Sequence, residues 1–228
     1  MFRGTIILSD WLFHVCNFSF KKTLTVFSDI KISGQENIPL DGPVIIVSNH
    51  IANIDPAIVA ASINRRPNFL AKKELFSNTF LNIFLRSYGA YPVDRSRADI
   101  SALKWGENKL KLGEALILFP EGTRSKSGKL MKGKSGVARL ATLTETPIVP
   151  IGISGSENLQ NLLKVLAPIS KLRINIGKAF TLKNESFSKK KDYDEATNEI
   201  MIKIAMQLPD KYHGSYEISK NINFSYIN

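Results

Sequence analysis

Cysteine is almost missing from this 228-residue chain: Cys16 stands alone, which excludes an internal disulfide and any cysteine-rich metal site. Histidine is scarce as well, and the three present, His14, His50 and His213, are too scattered to read as a metal-ligand cluster. The chain has no internal repeat and no uninterrupted apolar run of the ~18 residues that spanning a bilayer requires. Acidic residues are outnumbered, 20 Asp and Glu against 31 Lys and Arg, for a formal charge of +11. That surplus predicts attraction to a polyanion: nucleic acid, an anionic membrane surface or a phosphorylated substrate. No recognition-helix, zinc-finger or RNA-binding aromatic pattern accompanies it, so nucleic acid is not the expected partner. Neither a metal nor an organic cofactor is expected. What the chain does have is 43% hydrophobic residues, enough to bury one full core.

Residues 1–29 are rich in large apolar side chains, among them Trp11, Phe13, Phe18, Phe20 and Leu24. Arg3, Asp10, His14, Asn17 and Lys21 interrupt them at spacings of 7, 4, 3 and 4, which falls on one narrow stripe of a helix. The pattern predicts an amphipathic helix, or a helical pair broken near 17–22, at a membrane interface, with Trp11 and the phenylalanines as anchors. Asp10 and His14 would then meet as an i, i+4 surface pair. A signal peptide is the competing reading. The polar residues spoil its apolar centre and no small-residue cleavage site precedes Lys21-Lys22, so the segment is expected to be retained.

Beyond it, periodicity predicts strands at 44–48, 68–71, 90–93, 115–119, 148–153 and 172–180. Helices are predicted at 56–64, 74–87, 97–112, 134–144, 157–164 and 192–207. This alternation is that of an α/β sandwich with a largely parallel central sheet flanked by helices, here over 30–208, followed by an aperiodic tail at 209–228. Ligands of such sheets sit beyond the carboxyl ends of the strands.

Two segments at those ends carry chemistry. Asn49-His50-Ile51-Ala52-Asn53-Ile54-Asp55-Pro56 places an imidazole and a carboxylate five residues apart after the apolar run from Val44. Asp55 can simply cap a helix beside a surface histidine, or it can hold the imidazole so that its second nitrogen accepts a proton from a hydroxyl. Downstream, Phe119-Pro120-Glu121-Gly122-Thr123-Arg124-Ser125 follows a buried strand. It is either an ordinary turn or an oxyanion loop, in which Gly122 lets the backbone approach a ligand, Thr123 donates and Arg124 grips a phosphate with its planar fork.

With Gly89-Ala90-Tyr91-Pro92-Val93-Asp94-Arg95 and Val149-Pro150-Ile151-Gly152, these segments resemble the four ordered blocks of the glycerolipid acyltransferases, over about residues 30–180. Among these the chain looks most like the bacterial 1-acylglycerol-3-phosphate acyltransferases. The resemblance implies acyl transfer from acyl-CoA or acyl carrier protein to a membrane lipid acceptor, 1-acyl-sn-glycerol 3-phosphate. It makes 30–208 an acyltransferase domain on the cytoplasmic face of the inner or plasma membrane. His50 would be the base and Asp55 its orienter. Arg95 and Arg124 would clamp the phosphate, joined by Lys72, Gly122 and Thr123, while Glu121 and Asn49 organise the loops. Thr79 and Asn82 stand where the resemblance predicts a proline and a glycine in the pocket wall. A different acceptor, such as a lyso-ornithine lipid or glycerol 3-phosphate, and a non-catalytic basic membrane-surface or nucleic-acid-binding module are the rival readings.

Overall fold

The structure, a computed structural model, describes residues 2–96, 99–183, 187–219 and 222–228, with the side chains of all of these except 2–9 and 162. Among the described residues seven strands form one sheet: β1 (Asp29–Ser33), β2 (Val44–Ser48), β3 (Pro67–Lys72), β4 (Ala90–Val93), β5 (Ala115–Leu118), β6 (Ile148–Ser154) and β7 (Lys171–Ile176). Their order is β1-β7-β6-β2-β5-β3-β4, and every neighbouring pair is parallel except β6 with β7. The α/β class and the largely parallel sheet are therefore as the sequence predicts.

β2 shows why an unbroken apolar run becomes a central strand. It is buried at every position because helices cover both faces of the sheet. Val44 and Ile46 point into one core, shared with Ile58 and Val59 of α2 (Asp55–Ser62) and with Phe13, Phe20 and Leu24 of α1 (Phe2–Phe27). Ile45 and Val47 point into the other core. There they meet Leu110 of α4 (Ile100–Lys111), Val137 and Leu140 of α5 (Gly136–Thr144), and Ile200 and Ile204 of α6 (Lys190–Ala205). A short α3 (Thr79–Ser87) packs beside α1.

α1 is one continuous helix rather than a pair, since no glycine or proline between 17 and 22 breaks it. It buries Phe13, Phe20 and Leu24 against the domain and leaves Trp11, Val15, Phe18 and Val26 exposed on the opposite side. The polar stripe runs between these faces and is partly used by the protein: Asp10 pairs with Arg66, and Asn17 accepts from the Tyr88 hydroxyl at 3.2 Å. Asp10 thus meets a permanent cation instead of the expected His14, whose ring packs edge-on to Phe13. Arg3 and the other side chains of 2–9 lie outside the described residues. No helix among the described residues is long and apolar enough to cross a membrane.

Other expectations shift. β1, an Ile30/Ile32 alternation completed by pairing with β7, was not among the predicted strands. The helix predicted at 157–164 is irregular chain followed by one tight turn at Leu162–Val165, where the Asn161 side chain accepts from the Leu163 amide. The strand predicted to 180 stops at Ile176, and Phe180 makes only a single bridge to Ile148. Of the helix predicted at 97–112, residues 97 and 98 lie outside the described residues. Beyond 209 the chain lays Tyr212, Tyr216 and Ile227 into the core beside α6, aromatic and apolar contacts whose irregular spacing carries no period.

Candidate active site

Strands β6, β2, β5, β3 and β4 are consecutive in the sheet and all run the same way. The segments leaving them therefore stand in a row along one edge, with neighbouring strands ~4.8 Å apart. In that row are residues 155–160, the His50 turn, the 119–125 loop, Lys72 and Arg95. Residues scattered over more than a hundred positions of sequence meet because the sheet order places their strands side by side.

The His50 turn is built around Asp55. Its Oδ2 accepts from the Ile51 and Ala52 amides at 2.6 and 2.7 Å and lies 2.9 Å from His50 Nδ1. The carboxylate is fully buried, while Oδ1 has no hydrogen-bond partner among the described residues. Asp55 is thus the first residue of α2 rather than its cap, with Pro56 in the opening turn, so its charge sits in the first turn, at the positive end of that helix. A carboxylate can only accept, so Nδ1 carries the imidazole proton and Nε2 keeps its lone pair. The ring stacks on Phe119 at 4.3 Å between centroids and the residue is only 5% exposed, so it is not the surface histidine of the simple capping alternative. Phe119 sets the tilt of the ring from the adjacent strand end, a role the sequence reading did not give it.

Two bonds to the main chain of His50 strap the 119–125 loop to this turn. Glu121 Oε1 accepts from the His50 amide at 3.0 Å, and the Ser125 amide donates to the His50 carbonyl at 2.8 Å. Glu121 Oε2 accepts from the Met131 amide, also at 3.0 Å. Burial pushes the Glu121 carboxyl up to about 7, against the lowering effect of these two donors and with a smaller upward push from Asp55. Asn49 ties the turn to β6, its side-chain amide exchanging two 2.8 Å bonds with the main chain of Ile153. Gly152, in the fourth block, allows that strand to lie close to the end of α6, since a Cβ there would meet the Gln207 carbonyl oxygen at 2.4 Å.

Thr123 and Arg124 are exposed at the tip of the loop, whereas the Ser125 hydroxyl is turned inward to the Lys129 carbonyl. Gly122 adopts a φ of +71°, and the side chain of Lys134 crosses it, passing 2.9 Å from where a Cβ would stand. Lys134 is a cation at the site that sequence reasoning missed. Arg95 and Arg124 are close enough to feel one another: lost hydration first, then the like charge of Arg124, draw the Arg95 guanidinium below its ordinary value, while Glu74 opposes. Lys72 joins this group less directly, its Nζ lying 3.7 Å from Glu74. Thr79 is exposed, and Asn82 is half-buried and accepts from Arg86 Nε at 2.8 Å. The arrangement thus sets a buried, oriented imidazole on the same sheet edge as two neighbouring guanidiniums, suited to deprotonating a hydroxyl on a molecule held by an anionic group.

The chain belongs to the Acyltransferase family, whose model matches residues 29–154. It is 30% identical over 156 residues to the 1-acyl-sn-glycerol-3-phosphate acyltransferase of Bacillus subtilis, covering 67% of this chain and 76% of that protein. The enzyme of the same name from Saccharomyces cerevisiae is 32% identical over 179 residues, covering 72% of this chain and 58% of its own length. Among solved structures, the 1-acyl-sn-glycerophosphate (LPA) acyltransferase PlsC of Thermotoga maritima superposes with a TM-score of 0.66 at 26% identity. That match covers 84% of this chain and 77% of the other, and it shares the fold derived above.

Proposed function

We propose that the protein transfers a fatty acyl group from a thioester donor to the free sn-2 hydroxyl of 1-acyl-sn-glycerol 3-phosphate, forming phosphatidic acid. The observation that carries the mechanism is the His50 ring, fixed by Asp55 with Nε2 free, at the same sheet edge as Arg95 and Arg124. The guanidiniums take the acceptor's phosphate and so hold its hydroxyl beside the imidazole, and this positioning supplies much of the rate enhancement. Nε2 removes the hydroxyl proton as the oxygen attacks the thioester carbonyl. Asp55 stabilises the imidazolium, which returns that proton to the departing thiolate, so the enzyme is never acylated. An apolar recess of about 140 Å³ lined by Leu103, Leu116, Phe119 and Val137 shares Phe119, on which the His50 ring stacks, and suits alkyl parts of the reactants.

The acceptor lives in a membrane, and the exposed faces of α1 and α3 suit one. Trp11, Val15 and Phe18 of α1 and Phe80 and Ile83 of α3 are each at least 41% exposed, and Lys22 and Arg86 lie among them. Large aromatics with cations at their border favour the headgroup region of an anionic bilayer, here on its cytoplasmic face. Either acyl-CoA or an acyl carrier protein presents the negative charge that the lysines of 126–134 attract.

The test is mass-spectrometric detection of phosphatidic acid from lysophosphatidic acid with either donor, comparing the protein with His50→Ala. Product from the intact protein alone supports the mechanism. Equal product from His50→Ala removes the imidazole from it, and turnover only with another lysolipid or glycerol 3-phosphate reassigns the acceptor.

A further inference from the structure

Gln160 lies beyond the residues matched by the family model, in the irregular segment that leaves β6 beside the His50 turn. No sequence pattern singles it out, yet three of its groups are engaged. Its Nε2 donates to the Ile51 carbonyl at 2.7 Å, its Oε1 accepts from Arg124 Nη1 at 3.0 Å, and its carbonyl accepts from the Asn53 side-chain amide at 2.5 Å. One residue therefore joins the turn that orients the imidazole to the guanidinium of the neighbouring loop.

We infer that Gln160 is a positioning residue that sets the separation between the phosphate-holding fork of Arg124 and the proton-accepting nitrogen of His50. The role rests on the acyl-transfer reading above. An arginine at a loop tip has many rotamers, and a clamp works only while its fork stays where the phosphate must go. Gln160 fixes one Nη donor and leaves the remaining N–H groups of the fork available to an anion. The other end of the glutamine amide donates to the Ile51 carbonyl, one residue from the base. A glutamine suits this because it donates to a carbonyl with one atom and accepts from a cation with the other, which neither Glu nor Lys can do. Its side chain is exposed, so altering it spares the core.

The test is initial-rate kinetics of the full-length protein with oleoyl lysophosphatidic acid and palmitoyl-CoA, for wild type, Gln160→Ala, Arg124→Ala and the double variant, with melting temperatures alongside. Gln160→Ala is expected to raise the acceptor KM by about ten-fold while leaving the donor KM unchanged, the size of effect one lost hydrogen bond to a charged group produces. In the Arg124→Ala background the same substitution should add nothing to the acceptor KM, because the residue acts through that arginine. Gln160→Glu should raise the acceptor KM further than Gln160→Ala, since its carboxylate competes with the phosphate for Arg124 and repels the Ile51 carbonyl. Equal increments in both backgrounds, or an unchanged acceptor KM in Gln160→Ala, would overturn the assignment. A wild-type protein silent toward lysophosphatidic acid would sink the acyl-transfer reading first, and this role with it.

Discussion

Replacing Asp55 by asparagine is the sharpest probe of the site, because the structure separates what the carboxylate does by shape from what it does by charge. An asparagine oxygen in the place of Oδ2 can still accept from the Ile51 and Ala52 amides and from Nδ1, so the turn and the tautomer survive. What disappears is a full negative charge whose oxygen lies 2.9 Å from the ring nitrogen. With charge centres roughly 4 Å apart and an effective dielectric of about 20, that charge stabilises the imidazolium by ~4 kcal/mol. Lost only when the ring takes up the proton, this amounts to a fall of about 10²–10³ in kcat, the lower figure allowing for the asparagine dipole. Stability should change little, since weaker hydrogen bonds are offset by relief of a buried charge. The assay is steady-state acyl transfer to lysophosphatidic acid with the melting temperature measured in parallel. A variant within a few-fold of wild-type kcat would refute the charge argument. A folded variant whose KM rises while kcat holds would show Asp55 to be a binding residue.

Arg124→Ala should raise the acceptor KM by about 10- to 100-fold through loss of a charge-assisted contact, with the donor KM unaffected; an unchanged acceptor dependence removes it from the phosphate site. Glu121 titrates near 7 in the folded protein and near its ordinary, lower value when unfolded. Between those values only the folded chain keeps the proton, so stability should fall as pH rises through that window, by on the order of 3 kcal/mol in all. Glu121→Gln should flatten that slope in chemical denaturation, and also slow turnover, because its Nε2 opposes one of the two amides the carboxylate now accepts from. Exchanging Trp11 and Phe18 together for serine should release the protein from anionic vesicles in a sedimentation assay without lowering its melting temperature, since both side chains are more than half exposed.

Much of this arrangement was legible in the sequence because its chemistry is carried by short, contiguous blocks. His50 and Asp55 sit on one turn, and Glu121 to Ser125 follow a strand whose apolar run is unmistakable, so ordering the strands in a parallel sheet brings them together. β1 escaped because a single Ile30/Ile32 alternation is too brief to stand out beside a 26-residue apolar helix. The apolar residues between 159 and 166 imitate a helix, yet Leu163 and Leu166 are about 70% exposed. Side-chain bonds from Asn53, Gln160 and Asn161 hold that chain in another path, and no local preference records them. Lys134 and Gln160 were invisible for the same reason: each matters through a neighbour remote in sequence.

The double character of α1 bears on how the protein is handled. A terminal amphipathic helix invites removal in the hope of a more tractable fragment, but Phe13, Phe20 and Leu24 are each at most 5% exposed within the main core. Stripping three such side chains from the fold forfeits roughly 5–9 kcal/mol of burial, comparable with the whole stability of an ordinary domain. It would also uncover the apolar surface of α2 and Tyr88 on which they rest. A shortened chain would exchange an exposed amphipathic surface for an aggregating one, so solubility is better sought by substituting the outward side chains of the helix while keeping its inward ones.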